Sequence, residues 1–153
     1  MAPSRPLVSP TPSRFVMPDP LAAEPGNDVI AIGARGHDGR GVYGGAAYTF
    51  ARSGSEWVQQ QRLFASDGER NDQFGWKVAL AGDELLVGAR NDDDAGPDDG
   101  AVYLLVRSGQ TWNEHQKLLP VAGGAAPEFS TSMALHGDTI VVGAPKAETG
   151  GAY

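Results

Sequence analysis

The sequence predicts an all-β chain built from tandem units of four antiparallel strands, and three observations carry that expectation. Val-Gly-Ala, with Ile for Val in the first copy, centres on Gly33, Gly88 and Gly143, which stand 55 residues apart, and a fixed stride of this kind marks a copied supersecondary unit. The surroundings keep step, since Tyr48 returns as Tyr103, Trp57 as Trp112, Leu63 as Leu118, Phe74 as Phe129 and Asp83 as Asp138. From Asp28 onward the apolar segments are short, rich in β-branched and aromatic residues and separated by Gly/Asp/Ser/Asn clusters, with no sustained helical period.

The elements follow in order. Seven of the eleven prolines (Pro3, Pro6, Pro10, Pro12, Pro18, Pro20 and Pro25) fall in residues 1–26. That segment lacks the donors for a continuous ladder and the apolar surface to order itself, so it is expected to be a linker or disordered arm. The alternative is that Leu21 to Ala23, one stride before Trp76 to Val78, form a degraded first strand. Residues 27–65 make a first unit, 66–120 a second and complete one, and 121–153 a third that is truncated.

In the complete unit, strands are expected at about Phe74 to Ala81, Glu84 to Arg90, Ala101 to Arg107 and Trp112 to Leu119. Along the first, Phe74, Trp76, Val78 and Leu80 alternate with Gly75, Lys77, Ala79 and Ala81, which places bulky groups on one face and small ones on the other. Phe129, Thr131, Met133 and Leu135 repeat the pattern, and a face of small residues suits close stacking of another sheet. Gly82-Asp83 and Gly137-Asp138 fit type II′ hairpin turns, with Gly supplying a positive φ. Ser53-Gly54 and Ser108-Gly109 mark the next-but-one connection. Four antiparallel strands and a loop into the next unit compose a propeller blade.

The motifs Asp72-Gln73-Phe74-Gly75-Trp76, Leu86-Val87-Gly88-Ala89-Arg90 and Gly100-Ala101-Val102-Tyr103 resemble the FG-GAP repeat family, the blade of the β-propeller of integrin α subunits and of many bacterial extracellular proteins. The third unit carries Val142-Gly143-Ala144-Pro145 with Phe129-Ser130 in place of Phe-Gly, and the first has Ile32-Gly33-Ala34-Arg35 and Gly45-Ala46-Ala47-Tyr48 without a Phe-Gly. The likeness spans roughly residues 27–153 and implies a partial propeller of about two and a half repeats. Integrin-like members carry an acidic calcium loop between the Phe-Gly and Val-Gly-Ala strands. Here that connection is only Gly82-Asp83 or Gly137-Asp138, too short to wrap the six to eight oxygens that calcium takes, so the family's metal site does not carry over.

Composition closes several routes. A net charge of −7 would repel nucleic acid and anionic lipid. The absence of cysteine removes disulfides, thiol nucleophiles and zinc-thiolate sites. The longest apolar run, Ala101 to Val106, is far short of the roughly 20 residues that span a bilayer, and residues 1–26 show no secretory signal pattern.

The strongest local charge feature is the loop Asn91 to Asp99, where Asp92, Asp94 and Asp98 are the candidate ligands for a weakly held calcium ion and Gly96 allows the bend. The competing interpretation, favoured by the gaps at Ala95 and Gly96, is a solvated turn-rich loop. Asp67 to Asp72 is a weaker acidic candidate that reads better as a link between blades. Ser132, His136 and Asp138 can be drawn as a triad, but Ser132 and His136 would lie about 13 Å apart along one strand, against about 3 Å for a working pair. His37 and His115 have no nucleophile placed beside them by any motif, and no phosphate-cradling glycine loop occurs between a strand and a helix. Trp57 and Trp112, alike in placement, read as packing residues rather than as an aromatic binding patch.

The sequence therefore points to a non-catalytic binding or scaffolding propeller, with a protein or glycan ligand at its loops and, by resemblance, a cell-surface or extracellular setting. The alternative is an accessory propeller of a secreted enzyme such as a hydrolase. The last copy reaches Gly150-Gly151-Ala152-Tyr153, the motif that Gly100 to Tyr103 carries one unit earlier. The chain thus reads as part of a longer propeller, expected to pack against the remaining blades of a parent chain or to self-associate.

Overall fold

The computed structural model describes residues 28–120 and 128–146. The Pro-rich arm, the degraded strand at Leu21 to Ala23 and the closing Gly150 to Tyr153 lie outside the described residues. The described secondary structure is all strand: β1 (Val29–Ala34), β2 (Ala46–Ser53), β3 (Glu56–Leu63), β4 (Phe74–Ala81), β5 (Glu84–Ala89), β6 (Ala101–Ser108), β7 (Thr111–Leu118), β8 (Ser132–His136) and β9 (Thr139–Gly143). They form three antiparallel sheets in chain order, β1-β2-β3, β4-β5-β6-β7 and β8-β9, which are successive blades of a partial propeller.

The hairpins form because glycine sits where the backbone must reverse. Ala81 pairs with Glu84 across Gly82-Asp83, and Ser108 with Thr111 across Gly109-Gln110. Gly82 and Gly109 have φ of 57° and 64°, the sign that the first central position of a II′ turn requires. The copies agree in finer detail. Tyr43 and Asp98 have φ of 58° and 54°, Gln73 and Glu128 of 58° and 69°, and Gly75 and Ser130 of 86° and 84°. A register shift falls between Thr49 and Phe50 in the first sheet and between Leu104 and Leu105 in the second, leaving Gln60 and His115 as the extra residues of matching bulges.

Strand alternation gives the middle blade two apolar faces. Leu85, Val87, Ala89, Tyr103 and Leu105 face the first blade and cluster with Ala47, Leu63 and Ala65, while Leu86, Val102 and Leu104 face the third and cluster with Phe129, Met133 and Ile140. Full burial of such a side chain stabilises by roughly 1.5–3 kcal/mol, so each blade draws its stability from its neighbours. Backbone bonds stitch the blades in parallel fashion. Gln73 N donates to Tyr43 O and Phe74 N to Gly44 O at the first interface, as Glu128 N does to Asp98 O and Phe129 N to Asp99 O at the second.

Trp112 is 2 % exposed against the first blade, where the Gln61 amide accepts from Trp112 N at 2.8 Å and donates to Trp112 O at 3.0 Å. This packing role agrees with the expectation for its position. Trp57 is only half-buried.

One alternation fails. Trp76 does not join Phe74, Val78 and Leu80 in the core. The register shifts between Phe74, opposite Ala89, and Lys77, opposite Gly88, and the positive φ of Gln73 and Gly75 turns Trp76 out of the period-two pattern. In the third blade, Glu128 to Ser130 form a turn and the strand begins only at Ser132, so Phe129 reaches the core while Thr131 leaves it, as Trp76 does.

Candidate functional site

Antiparallel topology sorts the connections onto two rims. The β2–β3, β4–β5, β6–β7 and β8–β9 connections are two-residue turns on one rim, and the long β1–β2, β3–β4 and β5–β6 connections all emerge on the other. Side chains with functional potential gather on the long-loop rim in two places.

The first is the acidic loop. Asp92 is 3 % exposed, and its Oδ2 lies 2.8 Å from both Tyr103 OH and Lys117 Nζ. Lys117 Nζ also lies 2.5 Å from Asp94 Oδ2 and 2.9 Å from Asp67 Oδ2, and Tyr103 OH lies 2.7 Å from Asp67 Oδ1. An ammonium thus occupies the space among three carboxylates where a small cation would sit. Burial opposes the charge on Lys117, but hydrogen bonds to Asp92, Asp94 and Asp67 outweigh it and hold the ammonium above its usual range. Burial likewise works against ionised Asp67, and the bonds from Lys117 and Tyr103 prevail, holding its carboxyl low. For Tyr103, burial first and then the neighbouring carboxylates push the phenol up.

Of the three metal candidates, the structure brings Asp92 and Asp94 together and leaves Asp98 out of the cluster. Asp98 is exposed with φ 54° and carries the interface through its carbonyl. Among the described residues, no group of three or more Asp, Glu, His or Cys has the spacing of a metal site. Asp72 is buried on the β3–β4 link, where its carboxylate accepts from Glu69 N at 2.6 Å. Desolvation, helped by the charges of Asp92, Asp93 and Glu69 and opposed by that bond, raises it to about 6. Asp92 corresponds by stride to His37, whose ring packs against Tyr48 and Phe64, so the first repeat lacks this carboxylate cluster. Ser132 and His136 pair with Gly143 and Thr139 at opposite ends of β8, and His115 is the exposed extra residue of a bulge.

The second place was not legible in the sequence. A cleft of about 470 Å³ opens between the first and second blades, lined by Arg35, Gly36, Tyr43, Gln73, Trp76 and Arg90. The guanidinium carbons of Arg35 and Arg90 lie 4.2 Å and 4.4 Å from the Trp76 ring centroid, a distance at which a cation is drawn to the indole π-face. Arg90 also pairs with Glu128 of the third blade, which Lys146 Nζ shares at 2.8 Å, and those two cations hold the Glu128 carboxyl low. The one signal in the sequence was the stride itself, which puts Arg35 and Arg90 at equivalent places after Gly-Ala.

The three blades, their common stride and these interfaces can be set beside known families. The FG-GAP repeat model matches residues 57–105 and 112–153. This chain belongs to the FG-GAP repeat family. Each match begins on the last strand of one blade, at Trp57 in β3 or Trp112 in β7, and runs on through the Phe74 or Phe129 turn of the next. A search among curated proteins finds no match to the chain. FG-GAP repeats form propeller-type binding modules of extracellular type, and among the described residues no helix is long and apolar enough to cross a membrane.

Proposed function

We propose that this FG-GAP chain is a non-catalytic binding or scaffolding module that holds a protein or glycan through its long-loop rim, at the cell surface or in the extracellular space. The observation that carries this reading is the segregation of the rims. Among the described residues every tight two-residue turn lies on one side, while the interblade cleft and the acidic loop share the other. Tyr, Trp and Arg at the cleft are the residue types that dominate binding energy at protein interfaces. Calcium enters only as a weak ligand of the Asp92 and Asp94 loop. The outward faces of the terminal sheets, where Ile32 is 49 % and Val141 61 % exposed, suit cover by further blades or by a second copy.

The test is to immobilise the chain on arrays of extracellular proteins and glycans. A discrete set of ligands should be retained, lost on combining Tyr43→Ala with Trp76→Ala and kept on Gln110→Ala at the opposite rim. Ligands lost only with Gln110→Ala, or turnover of ester, glycoside or peptide substrates by the purified chain, would overturn the proposal.

A further inference from the structure

The two blade interfaces share one backbone frame and differ in one decisive side chain. At the second interface, Arg90 meets the carboxylate of Glu128. One stride earlier, Arg35 takes the place of Arg90 and Gln73 that of Glu128, with matching φ at the latter pair. An amide therefore stands where the other interface has a carboxylate. Among the described residues Arg35 has no carboxylate partner, and its guanidinium lies against Trp76. The Nε of Arg90, which also lines this cleft, is buried without a hydrogen-bond partner. The cleft is open, Tyr43 at its edge is 53 % exposed, and it carries two cations in a chain of net charge −7.

We infer that the cleft between the first two blades receives a carboxylate side chain, Asp or Glu, from a partner protein, which supplies in trans the group that Glu128 supplies in cis at the next interface. Arg35 would hold it by charge-assisted hydrogen bonds, whose strength and planar fork suit a carboxylate. Trp76 holds that guanidinium over its ring at 4.2 Å, and Tyr43 offers apolar area to the flanking peptide. A protein partner is favoured over an acidic glycan because the Trp76 ring, the natural platform for a sugar, already carries Arg35 and Arg90. The inference rests on the binding reading above and narrows it to one cleft and one chemical group.

The indole N–H resonance of Trp76, assigned by its disappearance in Trp76→Phe, reports on the cleft directly. Titration with acetyl-Glu-Glu-Glu-amide should shift it, with affinity falling as salt is added, whereas acetyl-Gln-Gln-Gln-amide should leave it in place. Arg35→Gln should weaken the response about tenfold or more. Gln73→Glu should do the same by pairing with Arg35 internally, and it preserves both arginines should Arg35→Gln perturb the fold. Equal shifts with the glutamine peptide, indifference to both substitutions, or tighter binding of trigalacturonate than of the glutamate peptide would each overturn the assignment. If the array ligands are retained by Arg35→Gln while the glutamate peptide fails, this cleft is the wrong place and the binding reading stands. If no array ligand is retained at all, the binding reading itself has failed.

Discussion

Lys117 Nζ stands 2.8 Å from Asp92 Oδ2, so a single ammonium from the last strand of the second blade neutralises the deepest carboxylate of its acidic loop. In sequence Asp92 stands mid-unit and Lys117 near the unit's end, and Asp67 from the preceding link completes the cluster.

Removing that ammonium should be costly. Lys117→Met would leave Asp92 buried without a cation, a change that typically destabilises by about 3–5 kcal/mol. The exposure of Asp67 and Asp94, at 44 % and 54 %, places the expected loss at the low end. The lowered Asp67 contributes stability above its ordinary range that is lost as pH falls. In the variant that dependence should flatten, because Asp67 has lost the ammonium that holds its carboxyl low. Urea unfolding of both proteins at about pH 7 and about pH 3 reads this directly, and a difference that widens at the lower pH would contradict it.

Calcium and Lys117 should compete for the same oxygens. Titration calorimetry on the intact chain should give an affinity on the order of 10⁻⁴ to 10⁻³ M. The combination Asp92→Asn and Asp94→Asn should abolish it, and Lys117→Gln should tighten it about tenfold. Tight binding that survives the aspartate substitutions would place the ion elsewhere.

Asp72 should act in the opposite sense to Asp67. Its value is raised from an ordinary 3.8 to about 6, so the fold prefers the protonated form. That preference is fully present below about pH 4 and is lost as pH rises through about 6, a difference on the order of 3 kcal/mol. Asp72→Asn keeps an acceptor for Glu69 N and removes the charge. Its melting temperature should exceed that of the parent chain at about pH 8 and converge with it near pH 4, and scanning calorimetry across that range would check both ends.

Gly75 separates two sources of strain. A Cβ there would lie 2.1 Å from Ala46 O of the first blade, and φ is +86°. At Gly82 φ is +57° and nothing lies within 4 Å. Gly82→Ala should therefore cost only the conformational penalty of about 1–2 kcal/mol, and Gly75→Ala at least about 2 kcal/mol more, because backbone must move. Ser130 holds the same φ in the third blade, so the excess at Gly75 should come from the interface. Equal losses in chemical denaturation would refute this division.

These sites show why strands were legible and sites were not. Phe74 to Ala81 and its three partners are spelled by local alternation and glycine turns, which depend on neighbours in the chain. Trp76 follows the same alternation but departs from it because Gln73, a residue with no turn preference of its own, is held at φ 58° by backbone bonds to the first blade. The Lys117 cluster joins Asp67, Asp92 and Asp94, and the cleft joins Arg35 to Arg90. The cleft pairs residues across two blades and the Lys117 cluster closes over one blade's own sheet, contacts that the 55-residue stride implies only as a class and not atom by atom.

The agreement of backbone angles at Tyr43 and Asp98, at Gln73 and Glu128, and at Gly75 and Ser130 has an evolutionary reading. Duplication has produced seats of the same shape whose occupants differ: tyrosine or aspartate at the lip, glutamine or glutamate at the floor. Because the seat is defined by main-chain bonds, its furniture can drift one codon at a time without rebuilding the frame. A chain of this design can diversify what it recognises seam by seam, and a protein engineer could exchange the preferences of two seams by transplanting a handful of side chains between them.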